Sequence, residues 1–351
     1  MQKQAMTMGA GSGPAFPRWR MRRGVFLAVL AAFGGLALLA LWGGARLAPP
    51  DVPPNVYRVI DARPSPEAGA LAARLGAGAE ARVMELYLPE SGVLLARAEA
   101  AVTPDGQAML LGWHSQGAVP VLRRDIHAAE ELRLVEALAR YLPEGGTILA
   151  MPELSRRLQA LTAATAPLAA EAEPLVLPPE WRGQDGPLAT AETARWGGPA
   201  APGVAGEGVA AFVDALLAED VHGAARLRVL AGTGDAYVLV HLEDPFLLGQ
   251  LREGRLNMAR RVFAAESFSH DLAREARSWG QANGHAAWAV DRTREGRLRG
   301  HYLTDASETA TLIAQLLPFN SSRIDGVPGL SLVWQSGGYW LYRIAPVVSG
   351  G

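Results

Sequence analysis

The stretch that comes nearest to a catalytic motif is Trp113-His114-Ser115-Gln116-Gly117, which follows the apolar residues Met109, Leu110 and Leu111. It approaches the G-x-S-x-G nucleophile elbow, in which a sharp strand-to-helix turn exposes a serine hydroxyl for acyl transfer. His285 and His301 stand later in the chain, where that fold places its general base. Two features argue against the motif. The elbow has room only for a small side chain two residues before the serine, and Trp113 stands there. The residues that follow, Ala118 to Leu122, read as extended rather than helical. Ser115 is thus a candidate nucleophile whose plain alternative is a polar turn in a hairpin.

Other reactive residues are sparser. The histidines at 114, 127, 222, 241, 270, 285 and 301 show no i, i+4 or H-x-H pairing, so no metal site is expected. Gly232-Thr233-Gly234-Asp235 precedes a strand, whereas a dinucleotide fingerprint follows one, so it reads as a turn. Met151-Pro152-Glu153-Leu154-Ser155-Arg156-Arg157 lies where a strand feeds a helix, the edge at which α/β sheets place ligand groups. Its plain reading is a helix opened by Pro152, with the arginines on a solvated face. Trp334, Tyr339, Trp340 and Tyr342 supply large rings near the C-terminus. Strand alternation puts Tyr339 with Leu341 on one face and Trp340 with Tyr342 on the other, so one face is core and the other core or docking surface.

Composition removes whole chemistries. The chain has no cysteine, hence no disulfide, thiolate nucleophile, iron–sulfur cluster or C-x-x-C-H haem attachment. Any haem would have to come from a partner. Lys3 is the sole lysine, which removes the Walker A motif and Schiff-base catalysis, so no cofactor is expected. The arginines are interspersed with acids, and the net charge is −2, so nucleic-acid binding is not expected either.

The elements that position these residues alternate between extended and helical periods. Val56–Ile60, Arg82–Leu88, Val93–Val102 and Ala108–Trp113 read as strands of an antiparallel meander, with a short helix at Pro66–Leu75 capped by Ser65. A helix at Ala128–Leu142, a strand at Thr147–Met151 and a helix at Glu153–Leu161 follow, which is an α/β succession. Residues 55–180 form a first α/β half, and 181–205 a linker-like seam with a helical piece near Leu188–Arg195. Residues 206–347 form a second half. In that half, helices are expected at Gly208–Leu217, after Phe268 and at Ser307–Leu317. Strands are expected near Leu227–Leu230, Tyr237–Leu242, His285–Val290 and Arg297–Leu303, and a closing hairpin turns at Ser336-Gly337-Gly338.

Residues 24–45 carry no charge and are long enough, at about 1.5 Å per residue, to cross a hydrocarbon core of about 30 Å. Arg18, Arg20, Arg22 and Arg23 precede the run and only Arg46 follows closely, so the positive-inside rule keeps the N-terminus cytoplasmic. The expectation is a basic tail over 1–23, a single transmembrane helix over 24–45, with a cleaved signal peptide as the rival reading of that run, and a proline-rich spacer over 46–54. The fold class is then a mixed α/β (α+β) soluble body behind a single-pass anchor in the inner membrane, with that body periplasmic.

The body also resembles a known family. The likeness lies in the order of Tyr141-Leu142-Pro143-Glu144-Gly145, Ile148-Leu149-Ala150-Met151 and Leu154-Ser155-Arg156-Arg157-Leu158. Leu316-Leu317-Pro318-Phe319, Leu332-Val333-Trp334-Gln335 and Gly337-Gly338-Tyr339-Trp340-Leu341-Tyr342-Arg343 complete it. Over most of residues 55 to 345, leaving aside about 160 to 205, this resembles the HaoB family, accessory proteins named for hydroxylamine oxidation. The resemblance implies a membrane-anchored periplasmic protein that assists assembly, docking or membrane attachment of a multihaem hydroxylamine oxidoreductase, and it carries over no catalytic residue. The competing classes are an anchored serine hydrolase using Ser115 and an unrelated envelope or sugar-transfer accessory module.

Overall fold

Four strands in simple succession make the first sheet: β1 (Val56–Ile60), β2 (Glu80–Tyr87), β3 (Leu94–Val102) and β4 (Ala108–Ser115), each antiparallel to the next. The computed structural model describes residues 53–117, 120–181, 183–204, 206–263, 269–293 and 296–346. Alternation along β3 and β4 sends alanine and leucine side chains to both faces, and both faces are covered. Helix α1 (Pro66–Arg74) is capped by the Ser65 hydroxyl, which accepts the Ala68 N–H. It packs Ala68, Leu71 and Ala72 against Ala101 and Leu111. On the other face Met84, Leu86, Ala98 and Trp113 meet Trp181, Leu188 and Trp196 of α4 (Asp185–Trp196) in the case of the last two, and Leu175 and Ala200 of the parallel pair β6 (Glu173–Leu175) and β7 (Ala200–Pro202).

The central sheet draws on distant parts of the chain. Its order is β12 (Leu330–Ser336), β13 (Tyr339–Ile344), β8 (Ala236–His241) and β5 (Thr147–Leu149), with β8 and β5 parallel and the other pairs antiparallel. Strand β8 is buried along its whole length, as a strand covered on both faces must be. Tyr237, Leu239, Tyr339 and Leu341 face α2 (Ala128–Tyr141) and α3 (Pro152–Leu161). Ala236, Val238, Val240 and Ile344 face α5 (Glu207–Leu216) and α6 (Asp220–Ala231). The hairpin closes on Gly337 and Gly338, with φ of 55° and 81°, the left-handed pair that a two-residue turn of this hand requires. Trp340 and Tyr342 pack against the α5/α6 core, so both faces of β13 make core contacts.

A third sheet, in the order β10 (Ala287–Arg292), β11 (Leu298–Leu303), β9 (Met258–Val262), is antiparallel throughout. Helix α8 (Ser269–Ala282) packs Leu272, Ala276 and Trp279 against its Leu298, Tyr302 and Trp288.

Several expectations change. Residues 227–230 lie in helix α6 rather than in a strand: buried Gly223, Ala224, Leu227, Arg228 and Ala231 recur at a spacing of three to four, and the β-like tetrapeptide is one turn of that face. The helix expected over Ser307–Leu317 is a 3-10 turn (Ala306–Ala310) and a short α-helix (Leu312–Leu316), divided at Thr311 in an extended conformation. Helix α7 (Asp244–Leu251) and strand β9 were not expected.

The membrane expectation is corrected. No helix among the described residues is long and apolar enough to cross a membrane. The longest, α2 and α8 at 14 residues, reach only about 21 Å and carry charged residues. The expected span over 24–45 lies outside the described residues. The single-pass anchor, the inner-membrane placement and the assignment of cytoplasmic and periplasmic sides are therefore withdrawn, and the fold class that stands is a mixed α/β body.

Candidate functional site

Strands β5 and β8 run parallel and end at the same edge of the central sheet, and antiparallel β13 begins there. From β5 the chain enters α3 through Pro152, with Glu153 in the first helical turn, and from β8 it enters α7 through Glu243 and Asp244. Acidic side chains at helix starts suit the positive end of the helix dipole. Glu153, His241, Glu243, Asp244 and Tyr339 therefore meet along one edge.

The segment Leu122–His127 lies against this edge. Leu122 is the only non-glycine residue with positive φ among the described residues, at 65°. That conformation costs about 1 kcal/mol. It is held by burial and by two hydrogen bonds with Val176, N–H to carbonyl in each direction, both 2.9 Å.

The next two residues are buried arginines. Arg123 reaches Glu153 (Nε to Oε2, 3.3 Å) and Glu192 (Nη2 to Oε2, 2.8 Å), with its guanidinium 4.8 Å from the Trp113 ring centroid. Glu192 also accepts the Tyr57 hydroxyl at 2.9 Å and the Trp196 indole N–H at 3.1 Å. Arg124 pairs with Asp244 (3.5 Å) and donates to the Tyr339 hydroxyl (3.3 Å). Tyr339 donates in turn to Glu131, which Arg157 engages at 3.2 and 3.3 Å. Burial opposes ionisation of Glu153, but Arg123 and Arg157 overcome it and hold the carboxyl below its usual range. Burial, then the charge of Glu153, pushes Glu173 up to about 7.

A second cluster adjoins the first. Asp125 accepts the Ser115 N–H at 2.9 Å, and its own N–H donates to Glu243 (3.3 Å). Arg299 joins Glu243 (2.5 Å) to Asp291 (2.9 and 2.5 Å), and Asp291 also contacts His301 Nε2 at 3.0 Å. The Glu243 N–H donates to His241 Nδ1 at 3.1 Å, which fixes the proton of a neutral imidazole on Nε2. Burial, then the charge of Arg124, lowers the His241 pKa well below the ordinary histidine range. Nε2 lies 3.9 Å from Glu130, and a Cβ on Gly338 would stand 2.4 Å from it, so only glycine closes the hairpin over this ring. Three cavities, of about 370, 510 and 230 Å³, surround the segment, and His127 lines all three.

Burial pushes Glu130 up to about 7 from an ordinary 4.5. A carboxyl raised by folding contributes stability that is complete below the unfolded value and is lost as pH rises through the folded value. Glu130→Gln, which never ionises, is expected to melt at a higher temperature relative to the wild type at pH 8 than at pH 5. Thermal melts at both pH values check this, and an unchanged difference contradicts it.

The residues of the alternative hydrolase reading have other partners. Ser115 is the last residue of β4, it is buried, and the next helix begins only at Ala128. Its hydroxyl accepts the Val121 N–H at 3.3 Å. His301 is engaged by Asp291, and His285 lies beside Trp279 and Tyr302 at ring distances of 5.1 and 5.2 Å. This is a strand end rather than a strand-to-helix elbow. The solvated face expected for the arginines after Pro152 is also corrected: Arg157 is buried, and Arg156 reaches the Glu171 carbonyl at 2.9 Å. Sequence reasoning missed Arg123, Arg124, Asp125, Glu192, Glu243 and Asp291. Three adjacent charges between apolar Leu122 and Ile126 were the available signal.

The chain matches the family described as HaoA-associated protein HaoB over residues 21–344. It belongs to that family. The match runs through the stretch 160–205 that the sequence likeness had left aside, and its span includes every residue of this chain's two charge clusters. No curated protein and no solved structure gives a match.

Proposed function

We propose that this chain is a haem-free accessory protein that associates with a multihaem hydroxylamine oxidoreductase and assists its assembly or docking. The observation that carries this reading is the match over residues 21–344 to a family described as HaoA-associated. The composition supports an assisting role, since a chain without cysteine cannot hold c-type haem through C-x-x-C-H. The polar interior supports it as well. Its strongest charge groupings pair Arg123, Arg124, Arg157 and Arg299 with carboxylates, and the Ser115 hydroxyl has a backbone partner rather than a histidine.

Affinity purification of the tagged full chain from its own cells, with haem absorbance followed in the eluate, tests the partnership. A haem-bearing partner is expected. A colourless eluate, together with normal oxidoreductase activity in a deletion strain, overturns the reading.

A further inference from the structure

The cavity of about 510 Å³ lies between the end of β4, at His114 to Gly117, and the third sheet, from which Arg260, Arg261 and Arg299 line it. Arg297 lines it too, and Asp125 is the one acidic residue among its described lining residues. Behind the wall, Glu243 and Asp291 pair with Arg260 and Arg299. Glu243 Oε1 serves two guanidinium groups, Arg299 Nη1 at 2.5 Å and Arg260 Nη2 at 3.3 Å. Arg299 is otherwise satisfied by Asp291, with two hydrogen bonds.

Arg260 is left short of partners. Its side chain is only 10% exposed, and Nε and Nη1 have no hydrogen-bond partner among the described residues. It lies over the Phe246 ring, 5.1 Å from the centroid, but stacking uses the face of a guanidinium while its N–H bonds lie in the plane. The Thr293 hydroxyl, on the same cavity, is also buried and without a partner among the described residues. A buried donor left unfilled is costly, and a charged donor gains most from an anionic acceptor.

We propose that this cavity is a binding site for a small oxyanion, a phosphate or carboxylate group, held by Arg260 with Thr293 as a second donor. Nη2 stays on Glu243, so Nε and Nη1 are the donors offered to the anion. The site does not depend on partnership with an oxidoreductase.

The test is calorimetric titration of the full chain at low ionic strength with two probes, inorganic phosphate and succinate. Saturable binding of at least one is expected, weakening as salt rises. Arg260→Met is expected to weaken it about tenfold or more, and Thr293→Val by about threefold, as loss of a charged and of a neutral hydrogen bond implies. Binding of phosphate alone assigns a phosphoryl group, binding of succinate alone a carboxylate, and binding of both the shared oxyanion chemistry. No saturable binding of either probe overturns the proposal, as does binding that the folded variants leave unchanged. If Arg260→Met does not fold, Arg260→Lys combined with Thr293→Val, which keeps the charge but removes the planar fork and the hydroxyl, carries the same test.

Discussion

Arg123→Met is expected to lower the free energy of unfolding by about 3–5 kcal/mol, the cost of leaving buried carboxylates without their cation. Arg123 is 3% exposed and stands between Glu153 and Glu192, and Glu192 is fully buried. Methionine fills much of the volume, so the loss reports on charge more than on packing. Arg123→Lys is expected to fall between the two, because a point charge cannot span both carboxylates and lie over Trp113 as the planar fork does. Arg74→Met is the control. Its pair with Glu136 is 3.7 Å long, with the two side chains 39% and 56% exposed, and such a pair contributes less than about 1 kcal/mol. Urea unfolding of the three variants decides the matter. An Arg123→Met loss no larger than that of Arg74→Met would mean that the buried network does not hold the fold.

Trp113→Ala is expected to cost about 3–5 kcal/mol, as truncation of a buried tryptophan does. The side chain is 1% exposed and packs with Met84, Trp181 and Leu188, with Tyr57 edge-on at 6.4 Å and Arg123 over its ring. This substitution also brings the local sequence closer to a nucleophile elbow. The expected result is a destabilised protein with no gain of esterase activity, because Ser115 ends a strand and its hydroxyl meets the Val121 N–H. A stable variant that turns over an activated ester would contradict both statements. Since Trp113 and Arg123 touch, the double variant is expected to lose less than the sum of the two.

The elements were legible where a local rule governs them. The meander, the Ser65 cap, the two helices around Thr147–Leu149 and the Gly337-Gly338 hairpin follow from alternation, capping and turn chemistry within a few residues of chain. The misreading of 227–230 came from the same source, since Leu-Arg-Val-Leu suits a strand until the spacing of the whole helix from Asp220 is counted. The candidate site was hardly legible. Pro152 marked the sheet edge along which the buried charges gather, but its arginines read as solvated because exposure is the usual state of arginine.

The sequence by itself determined the absence of cysteine chemistry, a mixed α/β body and a family likeness that the match over residues 21–344 upholds. These depend on composition and on short-range order, which a sequence states directly. Only the tertiary structure decided which charges are buried and which meet. Arg123 and Glu192 are 69 positions apart, and Arg124 and Tyr339 are 215 apart. The physical reason is that a buried charge is tolerated only where partners converge on it, and the convergence is set by packing around the edge of one sheet rather than by any spacing along the chain.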